Sequence, residues 1–219
     1  MHKPKFILHL EEKVRKDRHL LFVELLSRIG KPFTILDVGG SYDYWRKTDY
    51  EALGNVRIVL LNLFQQDGIG PPFSAEVGDA RDLSRYSSQE FDVVFSNSVI
   101  GHVGGFSDQM RMAREIRRVG KRYFVQTPNH GFLIDWRTLV PCFHFLPVPL
   151  QAWCFCHFSV GTYGKVADRA TSLEMASRIR NIRRRELRLL FPESTVVPER
   201  YLGMTKSFMI HSGFTIPES

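Results

Sequence analysis

One stretch constrains the fold of this chain more than any other. An apolar run from Phe33 to Val38, broken by Thr34 and Asp37, is followed at once by Gly39-Gly40-Ser41. A run of this length and composition reads as a buried strand that empties into a tight turn. Glycine at the turn lets a ligand approach the main chain closely, because no β-carbon stands in the way. In open α/β sheets, the crevice beyond the strand ends is where ligands bind.

The same grammar recurs along the chain. Val56 to Asn62 is a second strand ending in a polar side chain, and Phe73 to Val77 is a third that runs into Gly78-Asp79-Ala80. The fourth spans Phe91 to Ser96, followed by Asn97-Ser98 and, a little later, His102. A helix is expected over Ser107 to Arg118 and stops at Gly120, and a fifth strand over Lys121 to Gln126. Strands alternating with connectors at this rhythm argue for a largely parallel sheet with right-handed crossovers. Before the first strand, Leu21, Phe22, Leu25, Leu26 and Ile29 form one buried stripe of an N-terminal helix. Two last strands are expected near Ser194 to Val197 and Lys206 to His211.

Taken in order, Asp37-Val38-Gly39-Gly40, Asn62, Gly78-Asp79-Ala80, Phe91-Asp92-Val93-Val94, Asn97-Ser98 with His102, and Arg114 to Gly120 resemble a class I S-adenosylmethionine-dependent methyltransferase. Thr127-Pro128-Asn129, Glu186 to Pro192 and Glu199 to Ser207 are similar to the bacterial group called methyltransferase type 11. The resemblance covers roughly residues 33 to 212. It implies a Rossmann-like, seven-stranded, mostly parallel sheet flanked by helices, with an aromatic, lid-like insertion after strand five. It also implies a single domain: an N-terminal helical cover (1–31), a cofactor-binding core (32–128), a substrate-side insertion with basic helices (129–190) and the final strands (191–219). By the same resemblance the turn Gly39-Gly40-Ser41 would pass close under the methionine part of S-adenosyl-L-methionine, with Asp37 helping to fix that turn and the cofactor's ammonium end, and Asn62 and Leu63 would face its ribose. Asp79 and Ala80 would meet the adenine, and Asn97 and Ser98 would floor the sulfonium. Two positions depart from the family pattern: further glycines are common where Ser41 and Asp43 stand, and the ribose acid is here Asn62.

Neighbouring functions are disfavoured by the same residues. A dinucleotide turn counted from Gly39 needs glycines at 41 and 44, where the chain has Ser41 and Tyr44. The Asn-Pro-Pro-Tyr sequence of amino methyltransferases is replaced by Asn97-Ser98-Val99-Ile100, so N-methylation of a base or amide is not expected.

The substrate side lies after Thr127. From residue 138 to 164 no charged side chain occurs, while Phe143, Phe145, Trp153, Phe155 and Phe158 crowd together. Pro141, Pro147 and Pro149 argue against a spanning helix and leave a lid, a homodimer surface or a patch lying on a bilayer. Cys142 with His144, and Cys154 with Cys156 and His157, are too tightly spaced within an aromatic run for zinc, so no metal is expected. Three cysteines and no charged leader before an apolar segment suggest a cytoplasmic setting, with attachment at a membrane periphery as the variant. The net charge of +7 gathers partly in Arg169 to Arg188, a basic helical region that breaks into two pieces near Asn181. That cluster reads first as a solvated face and second as a contact for an anionic membrane; nucleic acid is not expected.

Methyl transfer to oxygen of a small-molecule or lipid-linked acceptor is the activity that follows, with His102 the best-placed base and His130 and Asp135 next. An acceptor that is already an anion needs none of them. The competing reading is a methyltransferase-like binding module that has lost catalysis.

Overall fold

The computed structural model describes residues 5–135, 137–178 and 180–214, so Lys3 and the helical expectation for residues 1–4, like the apolar position Ile179, lie outside the described residues. Helix α1 (Lys5–Leu26) precedes strand β1 (Phe33–Val38), and a single helical turn, α2 (Tyr42–Trp45), follows the glycine turn. Then come β2 (Val56–Asn62), β3 (Phe73–Val77), β4 (Val93–Asn97), α3 (Phe106–Val119) and β5 (Tyr123–Pro128). The chain continues through α4 (Val148–His157), α5 (Arg169–Arg178) and α6 (Arg184–Leu190) to a hairpin of β6 (Thr195–Tyr201) and β7 (Met204–Ser212).

These strands make one seven-stranded sheet in the order β3-β2-β1-β4-β5-β7-β6. All pairs are parallel except β5 with β7 and β6 with β7. The order reverses between β1 and β4, which places the crevice for a ligand at the carboxyl ends of those two strands.

Strand alternation sorts the residues between two cores. On one face Leu36, Val38, Val59, Leu61, Val94 and Val125 pack against Met112, Ala113 and Ile116 of α3 and Leu187 and Leu190 of α6. On the other, Phe33, Ile35, Ile58, Leu60, Phe95 and Phe124 meet Phe22, Leu25 and Leu26 of α1 and Trp45 of α2. Each such fully buried ring or branched chain stabilises the fold by roughly 1.5–3 kcal/mol.

Strands β4 and β5 each start two residues later than the sequence reading has them. Phe91 makes only an isolated bridge with Gly120, so β4 begins at Val93. Asp92 is drawn out of the ladder to accept from the Thr34 backbone (2.8 Å) and from Lys121 Nζ (2.8 Å). The fifth strand starts two residues later and runs on to Pro128, because β7 pairs with it as far as Ser207.

Between β2 and β3, and again between β3 and β4, the connections carry no helix. This leaves Leu63 and Phe64 largely exposed at the sheet end. The charge-free insertion folds into α4, which packs on α5 through Phe143, Ala152, Phe155, Val160 and Ala176. Its outer side exposes Val148, Leu150, Trp153 and Phe158. Among the described residues no helix is long and apolar enough to cross a membrane.

Candidate active site

Alternation decides what the polar strand ends can do. Asp37, Asn62, Asn97 and Gln126 each continue the register of residues that face α1 and α2, so all four turn toward that side. Two chambers open beyond them. The larger, about 830 Å³, is lined by Gly39, Asn62, Leu63, Asp79, Ala80, Asn97 and Ser98, together with Arg81, Val99 and the first residues around α3, Gly104, Gly105 and Asp108. The smaller, about 250 Å³, lies among Arg15, Arg18, Gln126, Phe132, Ile134, Asp135, Arg137, Asn181 and Lys206. Ser98 and His102 line both, so the two meet at the exit of β4.

Seven of the expected binding residues therefore face the larger chamber, whereas Asp37, Gly40 and Ser41 do not line it. Asp37 is 1% exposed and accepts a hydrogen bond from the Trp45 indole N–H at 2.7 Å. It therefore holds the turn from beneath, one of the two roles expected of it. The reason is parity, since Asp37 shares the face of Ile35, which is core. Gly40 presents its carbonyl to Asn62 Nδ2 (2.9 Å) and Gln66 Nε2 (3.0 Å), so it too braces the turn. Ser41 precedes α2 with no side-chain cap bond.

Burial pushes the Asp37 carboxyl up to about 7, with the Trp45 hydrogen bond acting in the opposite sense. A raised carboxyl contributes full stability below the unfolded value near 4 and loses it as pH rises through about 7. Asp37→Asn is therefore expected to flatten the fall in stability between pH 4 and 7. Urea midpoints across that range test it, and a slope equal to that of the unsubstituted chain would count against a buried, neutral-preferring Asp37.

Two of the three expected bases are engaged. Arg137 Nη1 lies 2.7 Å from His102 Nε2. A guanidinium can only donate, so the imidazole accepts through Nε2 and carries its proton on Nδ1. Burial, and then the Arg137 charge, push His102 down to about 4. Asp135 is 6% exposed, takes Arg137 Nε at 2.7 Å and Asn181 Nδ2 at 3.0 Å, and also pairs with Arg137 Nη2. Burial alone would raise its carboxyl, but the Arg137 contacts outweigh it and leave about 2. His130 lines neither chamber and stacks edge-on against His144 and Phe145. Arg137 thus occupies both His102 and Asp135, and His130 stands away from both chambers.

The sequence reading missed the arginines. Arg18 is 7% exposed and forms a two-pronged pair with Glu199, Nε to Oε1 at 2.8 Å and Nη2 to Oε2 at 3.0 Å. Its Nη1 donates to Asn97 Oδ1 at 2.5 Å. The signal was available: Arg18 sits four residues before Phe22 and seven before Leu25, on the buried stripe. Arg81 clasps Asp79 (Nη2 to Oδ2, 2.6 Å) at the chamber wall. Ser98, at φ +61, turns its hydroxyl to Gln126 Oε1 at 2.5 Å. No residue from 138 to 164 lines either chamber, so the aromatic insertion stands beside the site. Cys142 is exposed, Cys156 bonds Ser172, and among the described residues no group of three or more metal-binding side chains converges.

Residues 54–123 match the family model described as "Methyltransferase domain". No curated protein matches the chain. Among solved structures, 1,6-didemethyltoxoflavin-N1-methyltransferase of Burkholderia thailandensis, with bound 1,6-didemethyltoxoflavin and S-adenosylhomocysteine, superposes with a TM-score of 0.54 at 14% identity, over 93% of this chain and 79% of that one. A candidate O-methyltransferase of Nostoc punctiforme gives 0.52 at 13%, over 90% and 56%. A candidate methyltransferase from an antibiotic biosynthesis pathway of Anabaena variabilis gives 0.51 at 16%, over 82% and 63%. This chain thus spans under two thirds of the length of the last two, and 48% of a further similar chain from Galdieria sulphuraria. At these identities the likeness is one of fold. The 3-2-1-4-5-7-6 strand order and these superpositions give the chain the fold of the class I S-adenosylmethionine-dependent methyltransferases, and its residues 54–123 match a methyltransferase domain.

Proposed function

We propose that this chain moves the methyl group of S-adenosylmethionine to an oxygen of a small-molecule or lipid-linked acceptor. The observation that carries the reading is the junction of the two chambers at Ser98 and His102, one on the strand ends where a nucleoside fits and one beside it for a second molecule.

The residues of the larger chamber suit the cofactor. Gly39 lines it, and a β-carbon there would fall 2.4 Å from Val99 Cγ2, so the backbone itself forms the wall for the methionine part. Asn62 spends one amide hydrogen on Gly40 and one lone pair on the Leu63 N–H (2.8 Å). An amide has two of each, so a donor and an acceptor remain for ribose hydroxyls. The exposed Leu63 side chain offers an apolar face beside Asp79 and Ala80, where the adenine would sit. Bound there, S-adenosylmethionine supplies a methyl carbon already activated on sulfonium. The chain's own contribution is then to orient the two reactants and exclude water.

The exposed apolar side of α4, with Leu150, Trp153 and Phe158 between 43% and 55% accessible, supports the lipid-linked form of the acceptor. Calorimetry with S-adenosylmethionine and S-adenosylhomocysteine tests the assignment. Saturable binding of both is expected, and no heat from either at millimolar ligand would leave the inactive-module reading in its place.

A further inference from the structure

We infer that the smaller chamber takes an organic carboxylate with an apolar body, and that its carboxylate oxygen is the atom methylated. The inference rests on the cofactor reading above and deepens it.

The first observation is charge. Among the described residues three guanidiniums, those of Arg15, Arg18 and Arg137, line the chamber beside one carboxylate, Asp135, and Glu199 pairs with Arg18. The guanidinium of Arg15 has no ion pair among the described residues and stands one helical turn before Arg18 on α1. A guanidinium that faces a small chamber with no carboxylate partner among the described residues is a fork for a planar carboxylate. The second observation is placement. Arg18 bonds Asn97 and Arg137 bonds His102, and both partners also line the larger chamber, so guanidiniums flank the junction from two sides. Phe132, Ile134 and Pro128 add apolar surface to the same chamber.

The third observation is the missing base. His102 already accepts from Arg137, Asp135 is held by Arg137 and Asn181, and Glu199 is held by Arg18, Ser207 and Gln126. Among the described carboxylates and imidazoles at the smaller chamber, none is left without such a partner to take the proton of a hydroxyl acceptor. A carboxylate is ionised at neutral pH without help. In the step, one carboxylate oxygen forms a bond to the methyl carbon as the carbon–sulfur bond breaks and its electron pair goes to sulfur. Carboxylate and sulfonium charges cancel, giving a methyl ester and a neutral thioether, and no proton is released.

The test uses the whole chain saturated with S-adenosylhomocysteine, titrated separately with benzoate, benzyl alcohol and benzamide. Benzoate is expected to bind at least about tenfold more tightly than either neutral probe, as a charge-assisted contact requires. Arg15→Met is expected to remove that preference while leaving S-adenosylhomocysteine affinity and melting temperature unchanged, and Arg15→Lys to keep part of it. Benzoate binding no tighter than benzyl alcohol overturns the inference, as does undiminished benzoate binding by Arg15→Met. With methyl-labelled S-adenosylmethionine and benzoate, cinnamate and decanoate, label is expected as methanol released by alkali from at least one acid. Transfer to none of the acids, or to benzyl alcohol instead, removes the carboxylate as the methylated group. Failure of S-adenosylhomocysteine to bind at all strikes the underlying cofactor reading and is seen before any acid is added.

Discussion

Arg18→Met is expected to destabilise the chain by about 3–5 kcal/mol, because it strands the Glu199 carboxylate in a site that water does not reach. Glu199 is 8% exposed, and beyond Arg18 its only hydrogen-bonding neighbours among the described residues are Ser207 and Gln126. A hydroxyl and an amide cannot replace a bidentate guanidinium for a buried anion. At roughly 2–4 °C per kcal/mol for a chain of this size, the melting temperature should fall by about 10 °C. Glu199→Gln alone should cost less, since Arg18 keeps Asn97 as an acceptor at its other prong. The pair Arg18→Met with Glu199→Leu should recover most of the loss, because removing both charges also removes the desolvation cost of each. Thermal melts of the four proteins decide it. A double variant no more stable than Arg18→Met would mean that Arg18 acts chiefly by packing, through its stem against the Asn97 and Gln126 ends of the sheet.

That arginine marks the limit of what the sequence disclosed. The sheet was legible because its rule is local: β1, β2 and β3 carry apolar runs that end at the residues read from the sequence, and the crossovers fall between them. The cleft was legible wherever a strand end was itself the wall, as at Asn62, Asp79, Asn97 and Ser98. Asp37 supports the turn as the resemblance implied, while strand parity aims it at Trp45 and away from the larger chamber. The smaller chamber was hidden for a different reason. Its polar groups come from α1, the loop after β5, the α5–α6 junction and β7, separated by up to about 190 residues, and no spacing rule links them. His102 looked like a base because the Arg137 that occupies it lies 35 positions away.

The glycine turn should be the least forgiving place in the chain. A β-carbon on Gly40 would lie 2.1 Å from Asp37 Oδ2 and 2.3 Å from its Cγ. Asp37 cannot yield, since Trp45 pins it at 2.7 Å and Trp45 is itself fully buried against Phe22, Phe73 and Phe95. The backbone must move instead, and with it the Gly40 carbonyl that ties Asn62 and Gln66 to the turn. Gly40→Ala is therefore expected to cost about 1–3 kcal/mol, as overpacking in a closed site does, and to weaken S-adenosylhomocysteine binding about a hundredfold or more, because Asn62 loses its orientation. Gly30→Ala is the matched control: nothing lies within 4 Å of the added carbon, so stability and binding should both be unchanged. Asp37→Ala placed beside Gly40→Ala should relieve the clash and return stability without returning affinity, since the turn would then lack its brace from Trp45. Calorimetry and melts on the three variants separate the two effects. Full affinity in Gly40→Ala would show that the turn adapts and that the close approach of backbone to ligand is not needed here.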